Sequence, residues 1–235
     1  MQLPFFYQEL IDSSTGAVQL DEDTSRHVVQ VLRMKEGDRI NLTDGLGNLY
    51  TADILSAHKK HCNVTIIAKE SAQKPSHSSI ISISLLKNSG RFEWFLEKAT
   101  ELGISGIIPL ICERTEKEKF RMDRMKSILI SALIQSRQSW LPVLHDPVPY
   151  DALFDMEEVR NADAKFIAHC MEGDKSHLRN VVSQFTNRIL LIGPEGDFTK
   201  EEVDLALKNK FTAVSLGNTR LRTETAALAG VVMLR

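Results

Sequence analysis

The apolar positions follow two regimes along the chain. Up to about residue 70 they come in short runs broken by turn residues. Residues 39–43 run into Asp44-Gly45 and resume at 49–54, which predicts a hairpin; 63–68 predicts another strand. His27, Val28, Val31 and Leu32 share one face at helical spacing, predicting a helix over 25–32. Short strands this close together predict a small β-barrel. Gly45-Leu46-Gly47 lacks a third glycine and a following helix, so it reads as a hairpin turn rather than a dinucleotide fingerprint.

The polar stretch SAQKPSHSS, 71–79, separates this region from the rest, giving domains 1–72 and 73–235. Beyond it the pattern lengthens. A strand at 80–86 precedes a helix capped by Ser89, with Phe92, Phe95, Leu96, Ala99 and Leu102 on one face and Gly103 as its stop. A strand at 104–111 leads to a long helix at 121–138, with Met125, Ile128, Leu129, Ala132 and Leu133 inward. After a proline-bearing link, 142–149, come a strand at 165–170, a helix at 178–185 and a strand at 189–192. Thr199 and Glu202 then fit a capping box ahead of Val203, Leu205, Ala206 and Leu207. A last strand at 213–216 and an apolar helix finish the chain. Five strands alternating with helices define an α/β domain with a mostly parallel sheet.

Composition mostly excludes. The net charge of −2 gives no bulk electrostatic case for nucleic acid, so any RNA site must be a local basic patch. Three widely spaced cysteines, Cys62, Cys112 and Cys170, form no paired motif, which argues against a disulfide framework or structural zinc. No His/Cys/Asp/Glu group has metal-ligand spacing, so no metal is expected. The opening MQLPFFYQEL lacks the basic start and apolar core of a signal peptide, and no apolar run is long enough to span a membrane. A cytoplasmic protein is expected.

Candidate chemistry gathers near the carboxy end. The strand at 189–192 stops at Gly193-Pro194-Glu195-Gly196, and the strand at 213–216 stops at Gly217-Asn218. In open α/β sheets ligands bind beyond the carboxyl ends of strands, so both loops should line one pocket. Glycines there let a ligand approach bare backbone, which suits a nucleoside. The bland alternative is that they merely end strands. No phosphate loop is present, which argues against a triphosphate. Arg220-Leu221-Arg222-Thr223-Glu224-Thr225 follows, and a helix cap alone does not need two arginines and a glutamate. Arg222 suits electrostatic stabilisation of a developing anion; an Arg222–Glu224 ion pair stiffening the loop is the alternative. Glu195 is equally explained as an ordinary turn acid, and His169 at a strand end as a structural histidine. Lys87, Arg91, Arg114, Lys117, Lys119, Arg121 and Arg124 follow the first two strands of the second domain and could form a phosphate-binding collar. Arg26, Arg33 and Lys35 are the counterparts in the first domain, unless all are simply solvated surface.

These residues also carry a resemblance. Ile-Gly-Pro-Glu-Gly at 192–196, Ser-Leu-Gly at 215–217 and Leu-Arg-Thr-Glu-Thr-Ala at 221–226 resemble the signature of the RsmE family, 16S ribosomal RNA uracil-N3 methyltransferases of the SPOUT class. His27 to Arg33 with Gly37-Asp38 is similar to that family's PUA-like RNA-binding module. Glu93-Trp94, Lys98 to Gly103, Pro109-Leu110, Glu113-Arg114-Thr115, Gln135-Ser136 and Leu141-Pro142 follow in the family's order. Asp197 stands where the family usually has a second glycine, Ile134 where it has Glu and Met125 where it has Trp. An arginine common after the Gln-Ser pair is displaced to Arg137 or lost at Gln138. Those departures bear on substrate contacts of the long helix rather than on the cofactor site.

The resemblance implies a SPOUT-type α/β domain with a C-terminal trefoil knot, preceded by a PUA-like β-barrel, in a homodimer. It implies that Met171, Glu172, Gly193, Pro194, Glu195, Gly196, Leu216, Gly217, Leu221, Arg222, Thr223, Thr225 and Ala226 surround S-adenosylmethionine. The partner would be 16S rRNA or the small ribosomal subunit. Arg222 would stabilise the charge left on uracil when N3 loses its proton, and Glu224 or a water would take that proton. A non-catalytic rRNA-binding or ribosome-assembly factor with a retired pocket is the rival; binding of S-adenosylmethionine separates the two.

Overall fold

The computed structural model describes residues 2–11, 17–116, 119–182 and 185–235. The chain forms two compact units. One comprises 1–74 with 133–141, the other 75–132 with 142–235.

In the first unit, β1 (Phe5–Tyr7) pairs in parallel with β3 (Arg39–Thr43), and β2 (Ala17–Gln19) pairs antiparallel with β5 (Asn63–Ser71). The hairpin partner of β3 is β4 (Asn48–Ser56), which also pairs with β5, giving the order β1-β3-β4-β5-β2. The barrel read from the sequence is a five-stranded curled sheet with β1 and β2 at its edges. Both edge strands have three residues, too short a seam to close a barrel. Phe6, Leu20, Val28, Ile40, Leu42, Tyr50, Ile54 and Val64 form its core. Residues 133–141 join this unit through Leu141 N–H donating to the Gly45 carbonyl and Gly47 N–H donating to the Ser139 carbonyl.

The helix expected at 25–32 is different. α1 (Glu22–Arg26) starts earlier because Asp21 caps it, accepting the Thr24 N–H at 2.9 Å. A π-helical turn then covers His27–Val31. The wider turn breaks the 3.6-residue face, so Val28 is buried while Val31 and Leu32 stay exposed.

The second unit is built on a sheet of eight strands in which every recorded pairing is parallel. In chain order its elements are β6 (Ser78–Ser84), α2 (Ser89–Glu101), β7 (Gly106–Ile111), α3 (Met122–Ser136, whose residues from 133 on belong to the first unit), β8 (Val143–Leu144), β9 (Val148–Pro149) and α4 (Glu157–Arg160). There follow β10 (Ala164–Ala168), β11 (Ser176–His177), α5 (Leu178–Val181), β12 (Asn187–Ile192), α6 (Lys200–Lys208), β13 (Thr212–Ser215) and α7 (Thr223–Leu234). The strand order is β11-β13-β10-β12-β6-β7-β8, with β9 also on β7. β12 is apolar at successive positions because a central parallel strand is covered on both faces. On one face Ile108, Leu110, Ile167, Ile189 and Leu191 pack with Phe198, Val203 and Phe211. On the other, α7 lies against β6 and β12. Gly230 permits that approach: a Cβ there would sit 2.4 Å from Leu190 Cδ2.

Two local expectations shift and one holds. α2 is capped by Asn88, which accepts the Gly90 N–H, and not by Ser89. The helix expected at 178–185 is α5, four residues long; 183 and 184 lie outside the described residues. The capping box of α6 is complete, with Thr199 Oγ1 accepting the Glu202 N–H and the Glu202 carboxylate accepting the Thr199 N–H.

Candidate functional site

Parallel register sets three strand ends side by side. Ala168 of β10 pairs with Ile192 of β12 and with Val214 of β13. The two strands whose loops were expected to meet are therefore not neighbours, because β10 lies between them and adds a third loop. Beyond these ends lies a cavity of about 710 Å³. That is the size of a pocket for a drug-sized or nucleoside-sized ligand. Its walls are the loop after β10, the loop after β12, the segment 214–223 and Arg91 of α2.

Of the residues the resemblance assigns to a cofactor, Gly193, Pro194, Glu195, Leu216, Gly217, Leu221, Arg222, Thr223 and Ala226 line this cavity. Met171, Glu172, Gly196 and Thr225 do not. Met171 packs against the core cluster, and Glu172 and Thr225 are exposed. Gly196 lies under Arg114, whose Nη1 donates to its carbonyl at 2.7 Å.

The glycines have different reasons. A Cβ on Gly193 would meet the Phe198 ring and backbone N at 3.0 to 3.2 Å, so this glycine serves close packing as well as the cavity wall. Gly217 has φ +138 and nothing within 4 Å of its would-be Cβ, leaving bare backbone at the cavity edge. Ser215 fixes that turn, its Oγ accepting the Gly217 N–H at 3.2 Å.

α7 opens on Arg222. As N-cap, Arg222 has φ −71 and ψ 157 and no side-chain capping bond. Its guanidinium has no ion pair or hydrogen bond recorded among the described residues, and it is exposed while lining the cavity. The Arg222–Glu224 pair weighed from the sequence is absent. Glu224 faces Arg91 instead, with Arg91 Nε 3.6 Å from Glu224 Oε1. The Glu224 side chain is 9% exposed, and its Oε2 has no hydrogen-bond partner. Glu224 is not in the lining itself; it sits behind Arg91, which is. An unpartnered buried carboxylate oxygen costs about 1–3 kcal/mol, and structures keep few of them without a use.

Sequence reasoning did not single out Lys175, Cys170 or Ser215 for the cavity, whereas the expected Gly217-Asn218 loop does line it. Lys175 Nζ donates to the carbonyls of His169 at 2.7 Å and Met171 at 2.5 Å. Burial pushes the His169 imidazole below its ordinary value, the Lys175 charge pushes it further, and Asp197 opposes. The strand-end rule could have found Cys170; nothing local marked Lys175.

The collar cations have varied surroundings. Lys87 pairs with Glu116, Arg124 with Glu93, and Arg26 with Glu22 and Asp23. Arg33 is exposed at φ 55, and Arg121 is exposed just ahead of α3. Lys117 lies outside the described residues. Exposed ion pairs are weak enough that pairing does not prevent phosphate contact.

The thiols separate cleanly. Burial, with the Glu202 charge adding, pushes Cys112 up to about 12, and burial raises Cys62. Cys170 is exposed at the cavity. A chromogenic disulfide reagent should therefore titrate one thiol per native chain and three in denaturant, and Cys170→Ser should abolish the native signal. Fast reaction of a second native thiol would contradict the burial.

Among the described residues no group of three His, Cys, Asp or Glu could hold a metal ion, and no helix is long and apolar enough to cross a membrane.

The chain is similar to RNA methyltransferases. The family model described as an RNA methyltransferase domain matches residues 72–235, and one described as an RNA methyltransferase PUA domain matches 20–67. A probable rRNA-methyltransferase from Porphyromonas gingivalis is 36% identical, with a TM-score of 0.87 over 98% of this chain and 96% of that one. Ribosomal RNA small subunit methyltransferase E from Neisseria gonorrhoeae, solved bound to S-adenosyl methionine, is 30% identical, with a TM-score of 0.84 over 98% and 96%. The protein of that name from Rickettsia conorii is 27% identical over 228 residues, 95% of this chain and 91% of its own length. The chain belongs to the ribosomal RNA small subunit methyltransferase E family.

Proposed function

We propose that this chain transfers a methyl group from S-adenosylmethionine to N3 of a uridine in 16S ribosomal RNA. The observation that carries this reading is the cavity at three strand ends, with an unpaired Arg222 in its wall and a half-partnered Glu224 behind it. The lining fits the donor. Ile192, Val214, Leu216, Leu221 and Ala226 offer apolar surface to an adenine, Gly217 leaves the cavity edge free of a side chain, and Glu195 and Arg220 offer partners to a charged tail. When bound, S-adenosylmethionine supplies an already activated methyl group, so alignment and exclusion of water fall to the protein. Uracil N3 is a poor nucleophile until its proton leaves. Glu224, which lies behind the lining, takes that proton through a bridging water, and Arg222 faces the charge that spreads to O2 and O4.

The wider assignments are also proposed. Residues 1–72 form the PUA-like RNA-binding domain and 73–235 the SPOUT methyltransferase domain, with its C-terminal segment threaded as a trefoil knot. Arg26, Arg33, Lys87, Arg114, Arg121 and Arg124 contact rRNA phosphates, in the cytoplasm. Leu228, Ala229, Val232 and Met233 leave an apolar strip of α7 at the surface, Val232 being 52% exposed, and a second copy of the chain covers it in a homodimer.

Mass mapping of 16S rRNA from cells with and without the protein tests the reaction. One uridine should lose a methyl group from its base in the deletion and regain it when purified protein and S-adenosylmethionine are added to the subunit or the rRNA. Identical maps would return the chain to a non-catalytic role.

A further inference from the structure

Asp197 adopts a backbone conformation that favours glycine, at φ +63. Both of its carboxylate oxygens are engaged. Oδ1 accepts the Phe198 N–H at 2.9 Å, a local bond within the turn after β12. Oδ2 reaches across to the loop after β10 and accepts the Cys170 N–H at 2.7 Å. That is the length of a charge-assisted bond. Lys175 holds the same loop from the opposite end of its own segment, through the carbonyls of His169 and Met171. Residues 169–171 thus have one N–H and two carbonyls tied to charged side chains. Asp197, Lys175, His169 and Cys170 all line the cavity. A residue kept in the left-handed region without glycine's freedom needs a compensating contact, and the Cys170 bond is the one that spans two walls of the pocket.

We propose that Asp197 is a positioning residue for the methyl donor. Its carboxylate straps the loop after β10 to the loop after β12 and so sets the width of the cleft. The proposal rests on the reading of this cavity as the S-adenosylmethionine site. It gives Asp197 a role in cofactor geometry that a bare turn would not have, and it makes Lys175 the second fastening of the same loop.

Calorimetry with S-adenosylmethionine on wild type, Asp197→Gly and Asp197→Asn tests it. Glycine relieves the backbone and removes the strap, so Asp197→Gly should melt no lower than wild type yet bind about tenfold more weakly, the equivalent of one charge-assisted bond. Asparagine tolerates the conformation and still offers an acceptor oxygen, so Asp197→Asn should bind within about threefold of wild type. An Asp197→Gly protein that binds like wild type overturns the proposal, as does one whose melting temperature falls in step with its affinity. Wild-type protein that binds no S-adenosylmethionine overturns the proposed reaction instead. The strap is then judged by hydrogen exchange at the Cys170 amide: about tenfold faster exchange in Asp197→Gly than in Asp197→Asn supports it, and equal rates overturn it.

Discussion

Glu224→Gln should slow methyl transfer by roughly 10²–10⁴-fold, the usual worth of a positioned general base, while S-adenosylmethionine binds within about twofold of wild type. The side chain is 9% exposed and has one oxygen with no partner, so it already bears a desolvation cost in the folded protein. Glutamine has nearly the same shape and carries no charge. The variant should therefore melt at or above the wild-type temperature. A structural role gives the opposite result. If the Arg91 contact at 3.6 Å were what Glu224 is for, losing it would lower the stability, by no more than about 1 kcal/mol because the Arg91 side chain is 39% exposed. Stopped single-turnover methylation, read beside a thermal melt, separates these cases. A slow, stable protein marks the base; a fast, unstable one marks the brace.

The parts of the fold legible in the sequence are those decided within a dozen residues. The Thr199–Glu202 capping box is present as read, because both of its hydrogen bonds lie inside one helical turn. The β3–β4 hairpin and the apolar run of β12 likewise follow from local turn chemistry and burial on both faces. Strand order was not legible. Loops at Gly193 and Gly217 could be assigned to one rim, yet nothing in their spacing shows that β10 intervenes and brings Cys170 and Lys175 with it. The partner of Glu224 was missed for the same reason. Arg222 stands two residues away and was the natural partner on paper. In a helical first turn those neighbours diverge, and Arg91 arrives from α2. Asp21 was overlooked as a cap because the apolar face of 25–32 set the start of that helix too late, and the π-helical turn then disrupted the face itself.

Arg222→Ala should lower methyl transfer by about 10²–10³-fold, the effect of deleting one preorganised partner of a developing anion. The affinity for S-adenosylmethionine should change by less than about threefold. Two observations make the test clean. Arg222 caps α7 through its backbone alone, with no side-chain capping bond, so truncation leaves the helix start intact. Its guanidinium also has no ion pair or hydrogen bond recorded among the described residues, so no partner is stranded by its loss. Both points distinguish it from Arg91, whose removal would uncover Glu224. Arg222→Lys keeps the charge and loses the planar fork, and it should recover only part of the rate. The two variants must be compared at saturating cofactor, so that the rate reports the step at the base. If affinity collapses in Arg222→Ala while turnover per bound cofactor is unchanged, Arg222 holds the donor and the charge on the uracil is stabilised elsewhere. Arg220, which lines the same cavity, would then be the group to change next.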